Sequence, residues 1–244
     1  MIAGFSYDTL AILWIGALAG GIAAGASGFA FGLVSSSIWL HRIDPIHSAI
    51  LITACGTFLH STTLWPLRRH IERARLWPFI IGGIAGVPFG VYFLAYTDAS
   101  MLKIVLGIFL VVFGSYTLLA PTLPRITGGG RGADGTIGFI GGILAGLGGY
   151  SGVLPTIWTQ LRGWSKEVAR AVYQPYVIVI QAITLAGILL IAFDRMTLLL
   201  LAIVAVPVLI GTWIGWHLFG KLNDRRFRQA LAVLLIASGA TLVI

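Results

Sequence analysis

GGILAGLGGYSG, from Gly141 to Gly152, is the stretch that decides the fold. A related stretch, GGIAAGASGFAFG, runs from Gly20 to Gly32, about 121 positions earlier in the chain. Both stretches lie within long apolar segments, where clustered glycines disfavour a continuous helix because glycine has the greatest backbone freedom. The sequence therefore predicts that a helix is interrupted twice, at equivalent positions of a duplicated chain.

The composition is that of an integral membrane protein. Of the 244 residues, 58% are hydrophobic and only 10% are charged, and the mean hydropathy is +0.96. A soluble domain of this size has a polar exterior and does not reach such values. The formal net charge is +8, but the basic residues lie in short loops between apolar segments. This placement indicates membrane topology, and we expect the bilayer rather than nucleic acid as the partner.

Eight apolar segments follow one another along the chain. They comprise residues 9–40, 46–66, 76–97, 101–120, 136–161, 171–193, 196–218 and 228–244. Segments of about 20 residues match a hydrocarbon core of about 30 Å at a rise of about 1.5 Å per residue. The first and fifth segments are longer and contain the glycine stretches. Split there, each gives two pieces of about 12 to 16 residues, which reach the midplane and return.

The distribution of basic residues distinguishes two topologies. If all eight segments cross, the 16 Lys and Arg divide seven to nine between the two sides. If the first and fifth segments are re-entrant hairpins, 13 of the 16 lie on one side. Only Arg42, Lys103 and Arg195 then lie on the other side. The positive-inside rule favours the hairpins, with both termini outside the cytoplasm.

The hairpin topology also gives the two halves opposite orientations. We therefore predict an all-α integral membrane protein of two inverted repeats, each a re-entrant helical hairpin plus three transmembrane helices. The first repeat spans residues 1–120 and the second 136–244. Residues 121–135 between them are rich in Gly and Pro, and we interpret them as a flexible linker.

The hairpin tips are the candidate anion sites, because helix N-termini near the midplane present free backbone N–H groups and partial positive charge. Glycines there allow a ligand to approach the amides closely. The candidate substrate-binding residues are Gly25, Ser27, Gly28 and Phe29 in the first tip, and Gly148, Gly149, Tyr150 and Ser151 in the second. The alternative is that glycines serve helix packing, which we expect for Gly16–Gly20 and Gly138–Gly142.

Polar residues inside other segments are further candidates. His60 in the second segment shares a helical face with Thr53 and Thr57, and Gln174 and Gln181 share a face in the sixth. We include His60, Gln174 and Gln181 in the predicted binding site; the alternative is interhelical hydrogen bonding without a ligand. No Asp or Glu lies in the middle of an apolar segment, which disfavours a cation pump. His60 is the deepest ionisable side chain and the candidate for proton coupling.

Enzymatic chemistry has little basis in the sequence. Residues 149–152 and 25–28 both match the G-x-S-G pattern of intramembrane serine proteases. Such a protease needs a histidine base near the serine, and His217 is the only histidine downstream of Ser151. A single cysteine, Cys55, leaves no metal-ligand spacing, and we predict neither a metal nor a cofactor. A protease or a non-transporting membrane scaffold remains the alternative to a transporter.

These residues give the chain a resemblance to the sulfite exporter TauE/SafE family of membrane permeases, over nearly its whole length. The resemblance is carried by the glycine-rich first segment and its repetition after the linker, by Gly86, Pro88 and Gly90, and by GLGGYSGVLP at 146–155. GASGFAFG at 25–32 has fewer glycines than a symmetric pattern would give. The resemblance implies a multi-pass inner-membrane carrier of small sulfur-containing or carboxylate anions, such as sulfite or organosulfonates, and members both export and import. We therefore expect a secondary transporter and not an enzyme.

Overall fold

The computed structural model describes residues 6–27, 30–64, 71–119, 126, 128–218 and 224–243. Within these ranges the chain is helical and contains no strand. The helices are α1 (Tyr7–Ser27), α2 (Phe31–Trp39), α3 (Pro45–Leu64), α4 (Arg73–Tyr96), α5 (Ala99–Leu119), α6 (Gly130–Gly148), α7 (Val153–Leu161), α8 (Lys166–Ala192), α9 (Arg195–Leu218) and α10 (Asp224–Val243). The all-α prediction is confirmed for the described part of the chain.

Both glycine stretches interrupt a helix, as predicted. α1 ends at Ser27 and α2 begins at Phe31, while α6 ends at Gly148 and α7 begins at Val153. Each half of the chain thus has the same order of elements: a long helix, a helix of 9 residues and three further long helices. This order agrees with a duplication. The inverted orientation of the halves and the re-entrant path of the hairpins remain predictions.

The predicted lengths of the hairpin pieces were wrong. Pieces of about 12 to 16 residues were expected, but α1 has 21 residues and α6 has 19, each followed by a helix of only 9. The helices continue through their first glycines because those glycines pack against neighbouring helices, as described below. α6 also begins at Gly130, five residues before the predicted end of the linker.

Aspartates in the loops begin two of the long helices. Asp44 precedes Pro45, the first residue of α3, and its Oδ1 accepts the backbone N–H of His47 at 3.0 Å. Asp194 precedes α9, and its Oδ1 accepts the backbone N–H of Thr197 at 2.7 Å. A carboxylate in this position satisfies an otherwise unpaired N–H at the helix N-terminus. These acids therefore define helix ends rather than a cation path through the membrane.

The chain divides into two compact units, and each combines helices from both halves of the sequence. The first comprises Met1–Ile52, Thr97–Pro121 and Phe193–Ile244, and the second comprises Thr53–Tyr96 and Thr122–Ala192. The first unit thus contains α1, α2, α5, α9 and α10, and the second contains α4, α6, α7 and α8. α3 contributes to the first unit up to Ile52 and to the second from Thr53. The repeat boundaries read from the sequence remain a prediction.

In the first unit, α1 packs closely against both α9 and α2. Gly21 and Gly25 face the α9 backbone, and a Cβ on Gly21 would lie 2.7 Å from the carbonyl oxygen of Val208. Gly16 and Gly20 face α2, where side chains on them would overlap the indole ring of Trp39 and the hydroxyl of Ser35. Such close approach is the packing mode of small residues in membrane helices. The predicted packing role of Gly16–Gly20 is confirmed.

In the second unit, α4 and α6 pack through glycines on both helices. The glycines that face the opposite backbone are Gly82, Gly86 and Gly90 on α4, and Gly138, Gly142 and Gly146 on α6. A side chain on Gly142 would overlap the carbonyl of Gly83, and one on Gly138 would lie 2.7 Å from the Cα of Phe79. The packing role predicted for Gly138–Gly142 is therefore confirmed. It also explains why α6 continues through these glycines.

The exposed surface agrees with a membrane environment. Large apolar side chains such as Ile81, Tyr92 and Leu190 are exposed, the last to 89%. Among the described residues, five helices are long and apolar enough to cross a bilayer by length and composition. These spans are Tyr7–Ala26, Arg73–Tyr96, Ala99–Leu118, Val168–Ala192 and Arg195–His217.

Candidate functional site

The break between α6 and α7 is a left-handed turn at Gly149. Its φ is +80°, in the region that favours glycine, and its N–H donates to the carbonyl of Ala145 at 2.6 Å. The next N–H, of Tyr150, donates to the carbonyl of Leu144 at 3.2 Å. A side chain on Gly148 would overlap the ring of Tyr150, so two successive glycines are needed. The tip is thus a fixed turn.

Gln181 of α8 holds this turn. Its Nε2 donates to the carbonyl oxygen of Gly149 at 3.1 Å. On the other side its amide lies against Gly56 of α3, where a Cβ would be 2.6 Å from the Gln181 Oε1. One glutamine therefore connects the tip, α8 and the second part of α3. Two of the predicted site residues, Gln181 and Gly149, are brought into direct contact.

Buried polar atoms without partners concentrate in the second unit. No hydrogen-bond partner among the described residues reaches the hydroxyls of Ser151, Thr156 and Thr184, or the Oε1 atoms of Gln174 and Gln181. The five side chains are at most 5% exposed. Buried polar groups are almost always hydrogen-bonded, because leaving one unpaired costs on the order of 1–3 kcal/mol. Unpaired groups of this kind are typical of a region that holds a polar ligand or water.

The N-terminus of α7 adds backbone donors to this region. Gly152 is its N-cap residue, and no side chain caps the helix. The first turn of a helix has N–H groups without intrahelical partners, which carry partial positive charge. In α7 the N–H of Val153 donates to the carbonyl of Tyr150 at 3.3 Å and Pro155 has no N–H, so Leu154 is the first-turn residue whose N–H has no partner among the described residues. α7 begins directly after Ser151, so its hydroxyl and this helix end lie side by side in the chain.

His60 is buried in α3, 5% exposed. It lies one turn beyond Gly56, so the α3 face that meets Gln181 also carries the histidine. Thr57, predicted on the same face, donates its hydroxyl to the carbonyl of Thr53 at 2.6 Å, within its own helix. The Thr57 hydroxyl is therefore hydrogen-bonded within α3, and His60 is the other polar side chain predicted on this face.

Tyr176 is a residue that the sequence reasoning missed. It is fully buried, and its hydroxyl donates to the carbonyl of Gly138 at 2.8 Å. A Cβ on Gly141 would lie 2.5 Å from that hydroxyl and 3.3 Å from the carbonyl oxygen of Ser151. Tyr176 thus connects α8 to α6 beside the tip. The available signal was a tyrosine next to Pro175 in an otherwise apolar segment.

Of the four residues predicted in the first tip, the structure describes the surroundings of Gly25. Gly25 lies within α1, where a Cβ would be 2.5 Å from the carbonyl oxygen of Thr212 on α9. Ser27 is the last residue of α1, and its side chain lies outside the described part of the chain. Gly28 and Phe29 also lie outside it. Gly25 thus has the contacts of a packing glycine, and the binding role of all four stays a prediction.

The binding role of the other residues is also a prediction, but their positions are defined. Gly148, Gly149, Tyr150 and Ser151 form the second tip, and Gln174 and Gln181 lie buried on α8. The second unit contains these residues and His60, whereas Gly25 and Ser27 belong to the first. The idea that the two tips meet near the midplane stays a prediction.

Nothing in the described part of the chain supports the protease alternative. The Ser151 hydroxyl has no hydrogen-bond partner there, histidine included. His217 is hydrogen-bonded through Nδ1 to the carbonyl of Trp213 in its own helix, at 2.8 Å. A serine nucleophile needs a base within hydrogen-bond reach. No group of three or more His, Cys, Asp or Glu among the described residues could hold a metal ion.

Comparison with known proteins assigns this architecture to a family. The family model described as "Sulfite exporter TauE/SafE" matches residues 12–242, which include both hairpins and all later helices. The chain has no significant match among curated proteins or among solved structures. Because the family model covers nearly the whole chain, the chain belongs to the sulfite exporter TauE/SafE family, whose members are membrane transporters of sulfur anions.

Proposed function

We propose that the protein is a secondary transporter that moves a small sulfur oxyanion, such as sulfite or an organosulfonate, across the inner membrane. We further propose that the second hairpin tip binds the anion. The observation that carries this proposal is the set of buried polar atoms in the second unit without described partners, which includes the hydroxyl of Ser151 in the tip itself. The oxygen atoms of an anion would accept hydrogen bonds from the three hydroxyls of this set, those of Ser151, Thr156 and Thr184.

The chemistry of the site suits an anion held by neutral donors. The hydroxyls of Ser151, Thr156 and Thr184 can donate to anion oxygens, and the uncapped start of α7 contributes the N–H of Leu154. The Oε1 of Gln174, which has no partner among the described residues, can accept a hydrogen bond from the O–H of a singly protonated anion such as bisulfite. Asp134 is the one buried carboxylate among the described residues, and its Oδ1 accepts the Trp158 Nε1–H at 2.7 Å. No buried carboxylate is described at the tip to repel an anion.

The burial of these groups implies a conformational step. Ser151 and Thr184 are 0% exposed, so an anion can reach them only after part of the second unit opens. Alternating access by motion of transporter segments provides such an opening. In this proposal the fixed turn at Gly149 keeps its geometry while the helices around it move.

We retain the re-entrant hairpins and inverted repeats as part of the proposal. α2 and α7 have 9 residues each, so they extend about 14 Å and cannot cross a core of about 30 Å. Labelling of introduced cysteines tests the topology, since residues 40–45 should be accessible from outside and 162–165 from the cytoplasm. Reversed accessibility of either loop would exclude the hairpins.

Proton coupling through His60 is a separate element of the proposal. Its support is the position of the histidine, buried on the α3 face that meets Gln181. A proton gradient imposed across proteoliposomes should accelerate anion flux by the native protein. The variant His60→Gln should retain anion binding but lose the acceleration. Equal acceleration in both proteins would remove His60 from the coupling.

Flux through purified protein tests the function itself. Proteoliposomes containing the native chain should show saturable sulfite or sulfonate flux above that of protein-free liposomes. A panel of chloride, sulfate, acetate and taurine as competitors would identify the recognised group. The absence of flux for every sulfur-containing and carboxylate anion, in protein shown to be folded, would refute the proposal.

A further inference from the structure

A groove in the second unit lies between the N-terminal ends of α4 and α6, away from the hairpin tip. Its volume is about 600 Å³. Residues that line it include Trp77, Ile81 and Gly82 of α4, and Arg131, Gly132 and Gly135 of α6. The described lining is apolar except for Arg131 and contains no acidic residue. From this combination we infer that the groove binds one anionic phospholipid, with an acyl chain along α4 and the phosphate at Arg131.

The groove has the depth of an acyl-chain site. It extends along α4 from Ala74 to Gly82, a rise of about 12 Å, which is less than half of a hydrocarbon core of about 30 Å. Trp77 and Ile81, one turn apart, are 55% and 64% exposed. Tryptophan at such a level is typical of the membrane interface, with aliphatic residues deeper. The groove therefore begins at headgroup level and continues into the apolar layer.

Glycines create the space. Gly132 has no atom within 4 Å of the position where its Cβ would be, and Gly135 has only the carbonyl oxygen of Pro78, at 3.6 Å. At the deeper glycines of α6, by contrast, the α4 backbone occupies the space where a Cβ would be. The two helices thus separate toward their N-terminal ends, and the gap is the groove.

Arg131 is the charge that defines the headgroup. Among the described residues it has no salt bridge and no ring contact, unlike the neighbouring arginines. Arg75 pairs with Glu72 at 2.7 Å and lies over Trp164, and Arg162 donates to the carbonyl of Gly128 at 2.5 Å. The remaining acid at this end, Asp134, is buried and bonded to Trp158. Arg131 is therefore available for a phosphate.

Because the described lining contains no acidic residue, the groove should prefer anionic to zwitterionic lipids. A zwitterionic headgroup brings an ammonium, for which the described lining offers no carboxylate. A phosphatidylglycerol or cardiolipin headgroup brings only negative charge, which Arg131 satisfies. The predicted topology also places this end of α4 and α6 on the cytoplasmic side, where anionic headgroups attract basic residues.

Lipid binding to delipidated protein in detergent tests the inference, by native mass spectrometry and by thermal shift. Phosphatidylglycerol should bind more tightly than phosphatidylethanolamine and should raise Tm more at equal concentration. Arg131→Gln should weaken phosphatidylglycerol binding about fivefold, the loss of one juxtamembrane basic residue. Arg195→Gln removes a charge from the first residue of α9, in the other unit, and should leave binding unchanged.

A second variant tests the space in the groove independently of the charge on Arg131. Gly132→Leu places a side chain in open space at the mouth of the groove and also improves helix propensity. It should abolish the lipid preference without lowering Tm in the absence of lipid. Equal binding of both lipids by native protein would overturn the inference, as would full preference in both groove variants. If the native protein formed a dimer that Gly132→Leu blocked, and showed no lipid preference, the groove would be assigned to a second copy. That result would also overturn the inference.

Discussion

The two hairpins contain related glycine stretches but differ in the hydrogen bonding of their polar groups. In the first, the Ser35 hydroxyl donates to the carbonyl of Gly16 and the Trp39 indole donates to that of Leu13, both at 3.1 Å. Ser36, also buried, donates to its own helix. In the second, the hydroxyls of Ser151 and Thr156 have no hydrogen-bond partner among the described residues. The described part of the first hairpin is thus internally satisfied, whereas the second is not.

Equivalent positions show how this difference arises. Gly20 faces Ser35 and Phe31 of its own hairpin, but the corresponding Gly141 faces the Tyr176 hydroxyl of α8. The first hairpin closes on itself, while the second contacts a separate helix that brings Gln174, Gln181 and Thr184 with it. Both halves thus contain the same break in a helix, and the proposed anion site lies at the break whose surroundings contain polar atoms without described partners. Two further unpartnered hydroxyls, of Ser48 and Tyr116, lie outside both hairpins.

Substitution of Gly149 should have the largest effect on transport. Gly149→Val places a β-branched residue at φ +80°, a strain on the order of 1–3 kcal/mol that the tip can relieve only by moving. Anion flux in proteoliposomes should fall to background. The matched control is Gly163→Val, at φ +66° in the loop after α7, which introduces similar strain away from the tip and should retain flux. An active Gly149→Val protein would make the tip a packing feature like the first hairpin.

Gln181→Leu should have the next largest effect. The leucine keeps the volume but removes the donor to the Gly149 carbonyl and a buried polar group beside the tip. The buried carbonyl of Gly149 then loses its partner, which costs about 1–3 kcal/mol, and because this loosens the tip, anion affinity should fall by about 5- to 150-fold. Gln160→Leu, an exposed position on α7, is the control and should bind normally. Unchanged affinity in Gln181→Leu would reduce this glutamine to a helix–helix contact.

Ser151→Ala and Ser35→Ala should give opposite results in stability and binding. Ser151 has no partner to lose, so its alanine variant should keep or raise Tm while anion affinity falls by about fivefold. Ser35 donates to Gly16, so its alanine variant should lose about 1 kcal/mol of stability and keep its affinity. Thermal unfolding and anion-induced thermal shift measure both quantities. Destabilisation by Ser151→Ala would show that this serine also serves structure.

Much of the fold was predictable because glycine clusters, apolar length and loop charges have local causes. The eight apolar segments correspond to the ten helices once both breaks are included, and the packing glycines Gly138 and Gly142 were recognised. The unequal hairpin pieces were not predictable, since whether a glycine ends a helix or packs against a neighbour depends on which helix lies beside it. Gly25 illustrates this, because only the α9 backbone reveals its packing contact.

The polar residues near the second tip could be recognised in the sequence, but their contacts could not. Gln181 and Ser151 stand out in the sequence as polar residues in apolar surroundings. The contact between Gln181 and Gly149, and the role of Tyr176 beside them, arise from long-range packing of α8 on α6 and α7. A tyrosine in an apolar segment gives no indication of which carbonyl its hydroxyl will reach. The difference between the two hairpins could not be predicted from the sequence, because it also depends on which helix packs beside each of them.

The smallest effect is expected from pH, and it should concern the first unit rather than the anion site. Asp194 lies before α9, and Thr197, through its backbone N–H first and its hydroxyl second, holds the pKa of Asp194 below 3.8, with a further contribution from His47. Partial burial raises the pKa of Asp44, but hydrogen bonds from His47 outweigh it and keep that pKa lowered as well. The imidazole of His47 contacts both carboxylates, at 2.5 and 3.4 Å.

Because the folded-state pKa of each aspartate is lowered, its stabilising contribution is present above the unfolded value of about 3.9 and is lost as pH falls through the folded pKa. Asp194→Asn should therefore lower Tm modestly at pH 6, and the difference from native protein should vanish as pH falls below about 4. Anion affinity at pH 6 should not change, since the proposed site lies at the second hairpin. A Tm difference that stays constant down to pH 3 would show that the carboxylate charge is not what stabilises this end of α9, and altered affinity would extend the anion site into the first unit.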